Sequence, residues 1–103
     1  MKKIFTLSSL IFLANNLFAQ ITICSWNLEN FGKAKSDSII NFIANAVKDF
    51  DVIAIQEVVA GDGGAQAIVK LTGELNRKGF KWDYTISDPT VNSSYKTERY
   101  AFI

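Results

Sequence analysis

Asp51-Val52-Ile53-Ala54-Ile55-Gln56-Glu57-Val58 is an apolar run that closes on a carboxylate. Its length and its β-branched residues suit a buried strand. Period two places Val52, Ala54 and Gln56 on one face and Ile53, Ile55 and Glu57 on the other. A charge at the carboxyl end of such a strand needs a partner, a metal or solvent. In open α/β sheets that end is also where ligands bind.

Outward from this run the chain alternates strands and helices. Upstream, Ile21 to Asn27 reads as a strand with bulky groups on both faces, followed by a loop from Leu28 to Lys35 that contains Gly32. Ser36 or Asp37 caps a helix to about Asp49, with Ile39, Ile40, Ile43 and Val47 in one stripe. Downstream, Ala60 to Gly64 is a glycine-rich turn. Ala65 to Lys78 is a second amphipathic helix with Ile68, Leu71 and Leu75 inward and Gly79 as its stop. Phe80 to Ile86 is expected as a third strand, Ser87 to Ser94 as a loop, and a fourth strand begins at Glu98. The order is that of an α/β fold with helices layered on a sheet.

Asn27 holds on the first strand the place that Glu57 holds on the second. If these strands are neighbours, an amide oxygen and a carboxylate meet at one rim. Mg²⁺ accepts such a pair, because it keeps several waters and needs only one or two protein carboxylates. Position alone favours the plainer reading, a strand-end glutamate and asparagine facing water. The turn Gly61-Asp62-Gly63-Gly64-Ala65-Gln66 lies where a dinucleotide-binding turn would, but Gln66 replaces the third glycine and Asp62 adds negative charge. Tyr95, Lys96, Glu98 and Arg99 form a polar cluster with an aromatic at the start of the last strand. Its cations suit phosphate and its tyrosine suits stacking on a sugar or base. A solvated Glu98–Arg99 pair is the plainer alternative. Trp26, Phe80, Trp82 and Tyr84 are expected in the core and at interfaces.

Met1-Lys2-Lys3, the apolar stretch Ile4 to Phe18 and small Ala19 follow the order of an export signal, too short and polar for a membrane span. Removing residues 1–19 takes Lys+Arg from 11 to 9 against 10 Asp+Glu, a net charge of about −1. A strongly basic nucleic-acid footprint is absent, so contact with a polyanion must come from local groups. Cys24 has no partner in the chain and reads as a small buried hydrophobe. Asn92-Ser93-Ser94 matches a glycosylation acceptor. The chain has no histidine, so a hydrolase that uses imidazole is not finished within these residues.

Three segments together carry a resemblance: Ser25-Trp26-Asn27-Leu28-Glu29-Asn30-Phe31-Gly32, then Asp51 to Val58, then Ser94-Tyr95-Lys96-Thr97-Glu98-Arg99-Tyr100. In order and spacing they resemble successive motifs of the endonuclease/exonuclease/phosphatase superfamily, within it the pancreatic-type deoxyribonucleases and their secreted bacterial relatives. The resemblance covers residues 20–103 and implies the N-terminal portion of a four-layered α/β sandwich. It also implies phosphoester hydrolysis with Mg²⁺, or with Ca²⁺ or Mn²⁺. By the same resemblance Glu57 is the metal-ligand glutamate and Asn27 the asparagine beside metal and phosphate. Glu98 would orient a catalytic histidine and Tyr95 would pack in the DNA minor groove; Arg99, from its charge rather than the resemblance, is expected to meet the substrate. Two positions depart from the pattern. Val59 stands where pancreatic-type enzymes carry arginine, and Thr97 is an extra residue between Lys96 and Glu98.

The expectation is thus a secreted or periplasmic Mg²⁺-dependent endonuclease acting on DNA, free of membrane after signal cleavage and monomeric when complete. The 103 residues alone are expected to be inactive. A sphingomyelinase-type phosphodiesterase or a phosphatase of the same superfamily is the first alternative, and a non-catalytic binding module with this fold is the second.

Overall fold

A computed structural model of the chain describes residues 20–90 and 97–103. The expected signal segment, the acceptor triplet 92–94 and Tyr95 lie outside the described residues. Among those described, the elements are β1 (Ile23–Phe31), α1 (Asp37–Val47), β2 (Val52–Val59), α2 (Asp62–Arg77), β3 (Thr85–Ile86) and β4 (Glu98–Phe102). The strands form one mixed sheet in the order β1-β2-β4-β3. β1 and β2 run parallel, whereas β4 is antiparallel to both of its neighbours.

The parallel pair is fastened where it begins. Asp51 Oδ2 accepts from the Thr22 amide at 2.8 Å and from its hydroxyl at 3.0 Å. The Asp51 amide returns a bond to the Thr22 carbonyl at 3.0 Å. The backbone bond first, and the hydroxyl bond second, hold the Asp51 carboxyl below its ordinary value of 3.8. A segment joining two parallel strands must cross over the sheet, and α1 fills that connection.

Ser36 Oγ accepts from the Ile39 amide at 3.3 Å and caps α1. The helix buries Ile40, Ile43, Ala44 and Val47, a stripe at helical spacing. α2 buries Ile68, Leu71 and Leu75 completely, and its one buried hydroxyl, Thr72, donates to the Ile68 carbonyl at 2.8 Å. Gly79 follows it at φ 119°, a conformation glycine reaches without the Cβ penalty. Lys70 to Asp37 at 3.2 Å and Lys78 to Asn41 at 3.1 Å cross between the helices. Both helices share their core with Ile53, Ile55, Ala101 and Ile103, one face of the sheet.

The other face is open. Ser25, Ala54 and Phe102 lie side by side across three strands. Ile23 on the same face is 65% exposed and Phe102 51%. Burial of β1 on both sides is therefore corrected: Cys24 and Trp26 are half-buried against the core, while Ile21 and Ile23 face out. Three further expectations change. Only Thr85 and Ile86 of the expected Phe80–Ile86 strand pair with β4, because bonds of that segment go to Asn76 and Asp83 side chains instead. Phe80 is 74% exposed rather than in the core, and Ile39 is 44% exposed beside the buried stripe. α2 begins at Asp62 rather than Ala65, so Gly63 and Gly64 are its first turn.

Candidate active site

Glu57 stands on β2 with φ at 57°, a left-handed conformation that glutamate rarely adopts. The alternation of the strand breaks there. Between Ile55↔Ala101 and Val58↔Arg99, β2 advances three residues while β4 advances two. The extra residue is a bulge. Val58, with 0% exposure, follows Ile53 and Ile55 into the core. Glu57, expected in line with those isoleucines, is released to a half-buried place. This is a correction with a plain cause: one left-handed residue moves the period by one.

β1 is irregular at the same level. From Asn27↔Gln56 to Phe31↔Val58 it advances four residues against two. Glu29 and Asn30 take φ of 46° and 56° within that step. The stretch expected as loop from Leu28 is thus strand as far as Phe31, with Leu28 and Phe31 both buried. Asn27 turns its Oδ1 to the Glu29 amide at 2.9 Å, a local bond that supports the irregular step. Gln56 is used across the strands, donating to Ser25 Oγ at 3.0 Å.

Two glycines let other elements close on the end of β2. A Cβ on Gly64 would lie 1.8 Å from the Val59 carbonyl oxygen, and one on Gly32 would lie 2.9 Å from Val59 Cγ2. Arg99 completes the hold. Its Nε–H donates to the Ala60 carbonyl at 3.0 Å and its Nη1–H to the Ser87 carbonyl at 3.5 Å. The alternative of a Glu98–Arg99 pair is not among the ion pairs of the described residues. Glu98 is set by its backbone: its amide donates to Thr90 Oγ1 at 3.1 Å and its carbonyl accepts from the Thr90 amide at 2.9 Å.

These contacts frame a cleft of about 270 Å³ that Glu57 and Glu98 both line, with Asn30, Val59 and Thr97 around them. Asn27 sits one strand over, opposite Gln56, and outside the lining. Asn30, Gly32 and Gly64 were not singled out by sequence reasoning. Gly32 directly follows β1 and Gly64 lies in the first turn of α2, places where a close approach could have been suspected, but nothing in the sequence marks Asn30. Oxygen donors from two carboxylates and a nearby amide suit a hard cation that keeps most of its water. Among the described residues no three His, Cys, Asp or Glu gather into a fuller ligand set.

A larger cleft of about 350 Å³ lies at the opposite rim, between Lys48–Asp51 and Phe80–Trp82. Its Asp51 carboxylate is already committed to Thr22. The chemistry therefore points to the smaller cleft. No helix of the described residues is long and apolar enough to cross a membrane.

No family model matches the chain. Individual relatives do. The chain is 33% identical over 86 residues to deoxyribonuclease-1 of Bos taurus and 31% identical over 86 residues to that of Equus caballus. It is 31% identical over 86 residues to deoxyribonuclease gamma of Homo sapiens. These matches take in 81%, 81% and 79% of the chain. The chain spans 29% of the length of the bovine and equine proteins and 27% of the human one.

Proposed function

We propose, from the premise that this chain is a deoxyribonuclease I-like sequence of the endonuclease/exonuclease/phosphatase superfamily, that it serves an exported, Mg²⁺-dependent endonuclease which hydrolyses DNA phosphodiesters. The observation that carries the reading is Glu57, held half-buried on a bulge in the cleft that Glu98 also lines. Strained backbone of this kind persists where surrounding structure enforces it, and it concentrates at functional sites.

In this proposal Glu57 holds the cation, with Asn27 near it. When bound, Mg²⁺ would neutralise charge on the phosphate under attack. Glu98 would orient an imidazole that takes the proton from the attacking water, and that base would come from outside these residues, which contain no histidine. Arg99 keeps the floor of the cleft in place, and Tyr95 would meet the nucleic acid. The open sheet face supports the four-layered sandwich, since a second sheet would cover Ile23, Tyr100 and Phe102. Residues 1–19 would direct export and leave a monomer without membrane association.

Substrate profiling of the full-length protein tests the substrate. Nicking of supercoiled plasmid in Mg²⁺ is expected. Release of lipid head groups with no action on DNA would favour a sphingomyelinase-type enzyme instead.

A further inference from the structure

Across the Gly32–Val59 contact from the cleft of Glu57 lies a second, smaller one of about 80 Å³, and the charged groups that line it are all lysines: Lys33, Lys35 and Lys70. The chain as a whole is close to neutral, with 11 Lys+Arg against 10 Asp+Glu. A gathering of three cations is therefore a local feature rather than part of a basic surface. Lys33 and Lys35 belong to no ion pair among the described residues, and Lys70 has only an exposed pair with Asp37. Such exposed pairs contribute little and exchange readily for a stronger anion.

Lys33 and Lys70 are both exposed to solvent. Lys33 lays its stem against the first turn of α2, where a Cβ on Gly63 would lie 2.9 Å from Lys33 Cγ. Lys35 is half-buried, in a turn closed by its amide on the Gly32 carbonyl at 3.1 Å. The two clefts stand on either side of one contact. Gly32 lines the lysine cleft and Val59 the carboxylate cleft, and those two residues touch.

We propose that Lys33, Lys35 and Lys70 form a subsite for a backbone phosphate of the nucleic acid, next along the strand from the phosphodiester in the Glu57 cleft. This rests on the reading of the cleft as a DNA-hydrolysing site. The subsite is sequence-blind: ammonium groups meet phosphate oxygens and read no base. It supplies the local positive charge that the overall balance lacks.

The test is binding of a short duplex DNA by the full-length protein, in a Glu57→Gln background that prevents turnover, followed by fluorescence anisotropy over a range of salt. Each phosphate contact contributes about 0.9 to the slope of log K against log salt. Lys33→Gln/Lys35→Gln is expected to flatten that slope by about 1.8 and to weaken low-salt binding by about tenfold. Lys33→Arg/Lys35→Arg is expected to restore both. Lys48→Gln/Lys81→Gln, at the opposite rim, is expected to leave the slope as it was. An unchanged slope in the Lys33→Gln/Lys35→Gln variant overturns the subsite and leaves the nuclease reading standing. A parent protein that binds no DNA at any salt overturns the nuclease reading, and the subsite with it.

Discussion

Glu57 holds a conformation that costs an ordinary residue about 1–2 kcal/mol, and it does so at φ 57°, where the pairing of β2 shifts register on both sides. Glycine takes this conformation freely. Glu57→Gly is therefore expected to be more stable than Glu57→Ala by about 1 kcal/mol in urea unfolding. Both variants are expected to lose activity in the full-length protein. An alanine variant as stable as the glycine variant would mean that the bulge carries no strain. The Gln56-Glu57 pair was legible in the sequence because its residue types are distinctive. Its geometry was not, because a strict period of two assigns Glu57 to the face that Val58 occupies. Nothing local in Gln-Glu-Val announces a bulge, which shows only in the register of β2 against β4.

At the scale of elements, the joints are more telling than the helices. The stripes of α1 and α2 followed from spacing alone, as Ile43, Val47, Ile68, Leu71 and Leu75 show. The start of α2 did not, since glycines at Gly63 and Gly64 read as a turn until the closeness of Val59 is known. Gly64→Ala would drive a methyl into the Val59 carbonyl, and a loss of at least about 2 kcal/mol is expected in denaturant unfolding. Gly73 has open space at its Cβ position in the same helix. Gly73→Ala is expected to gain up to about 1 kcal/mol by helix propensity. Equal effects at the two positions would contradict the packing described.

The Thr22–Asp51 clamp makes a pH-dependent prediction. The folded-state value of Asp51 is lowered from 3.8, so its contribution is present above the unfolded value and is lost as pH falls through the folded one. The stability difference between the native protein and Asp51→Asn is expected to be constant near neutral pH. It should shrink as pH drops below 3.8. A difference that stays constant into strong acid would remove Asp51 from the clamp.

For the whole molecule, the uncovered face of the sheet is the feature that composition could not foretell. The sequence showed bulky groups on both sides of β1, and the structure covers only the helical side. If a second sheet packs there, Ile23→Lys and Phe102→Lys are each expected to cost the full-length protein about 2 kcal/mol or more. A face left in water would tolerate them within about 0.5 kcal/mol. Chemical denaturation of the full-length protein separates these outcomes. The substrate class was less legible than the fold, because Val59 removes a cation from the strand end and the lysines that stand nearby come from another element.

The most direct test of the account is plasmid nicking by the full-length protein, comparing native and Glu57→Gln forms with Mg²⁺ and with a chelator. Losing even an outer partner of a metal site costs about 10–100-fold, so if Glu57 holds the cation as proposed, Glu57→Gln is expected to cost at least about 100-fold. Mg²⁺-dependent nicking is expected, abolished by the chelator and reduced to that extent by Glu57→Gln. Undiminished nicking by Glu57→Gln, or nicking that survives the chelator, would contradict it.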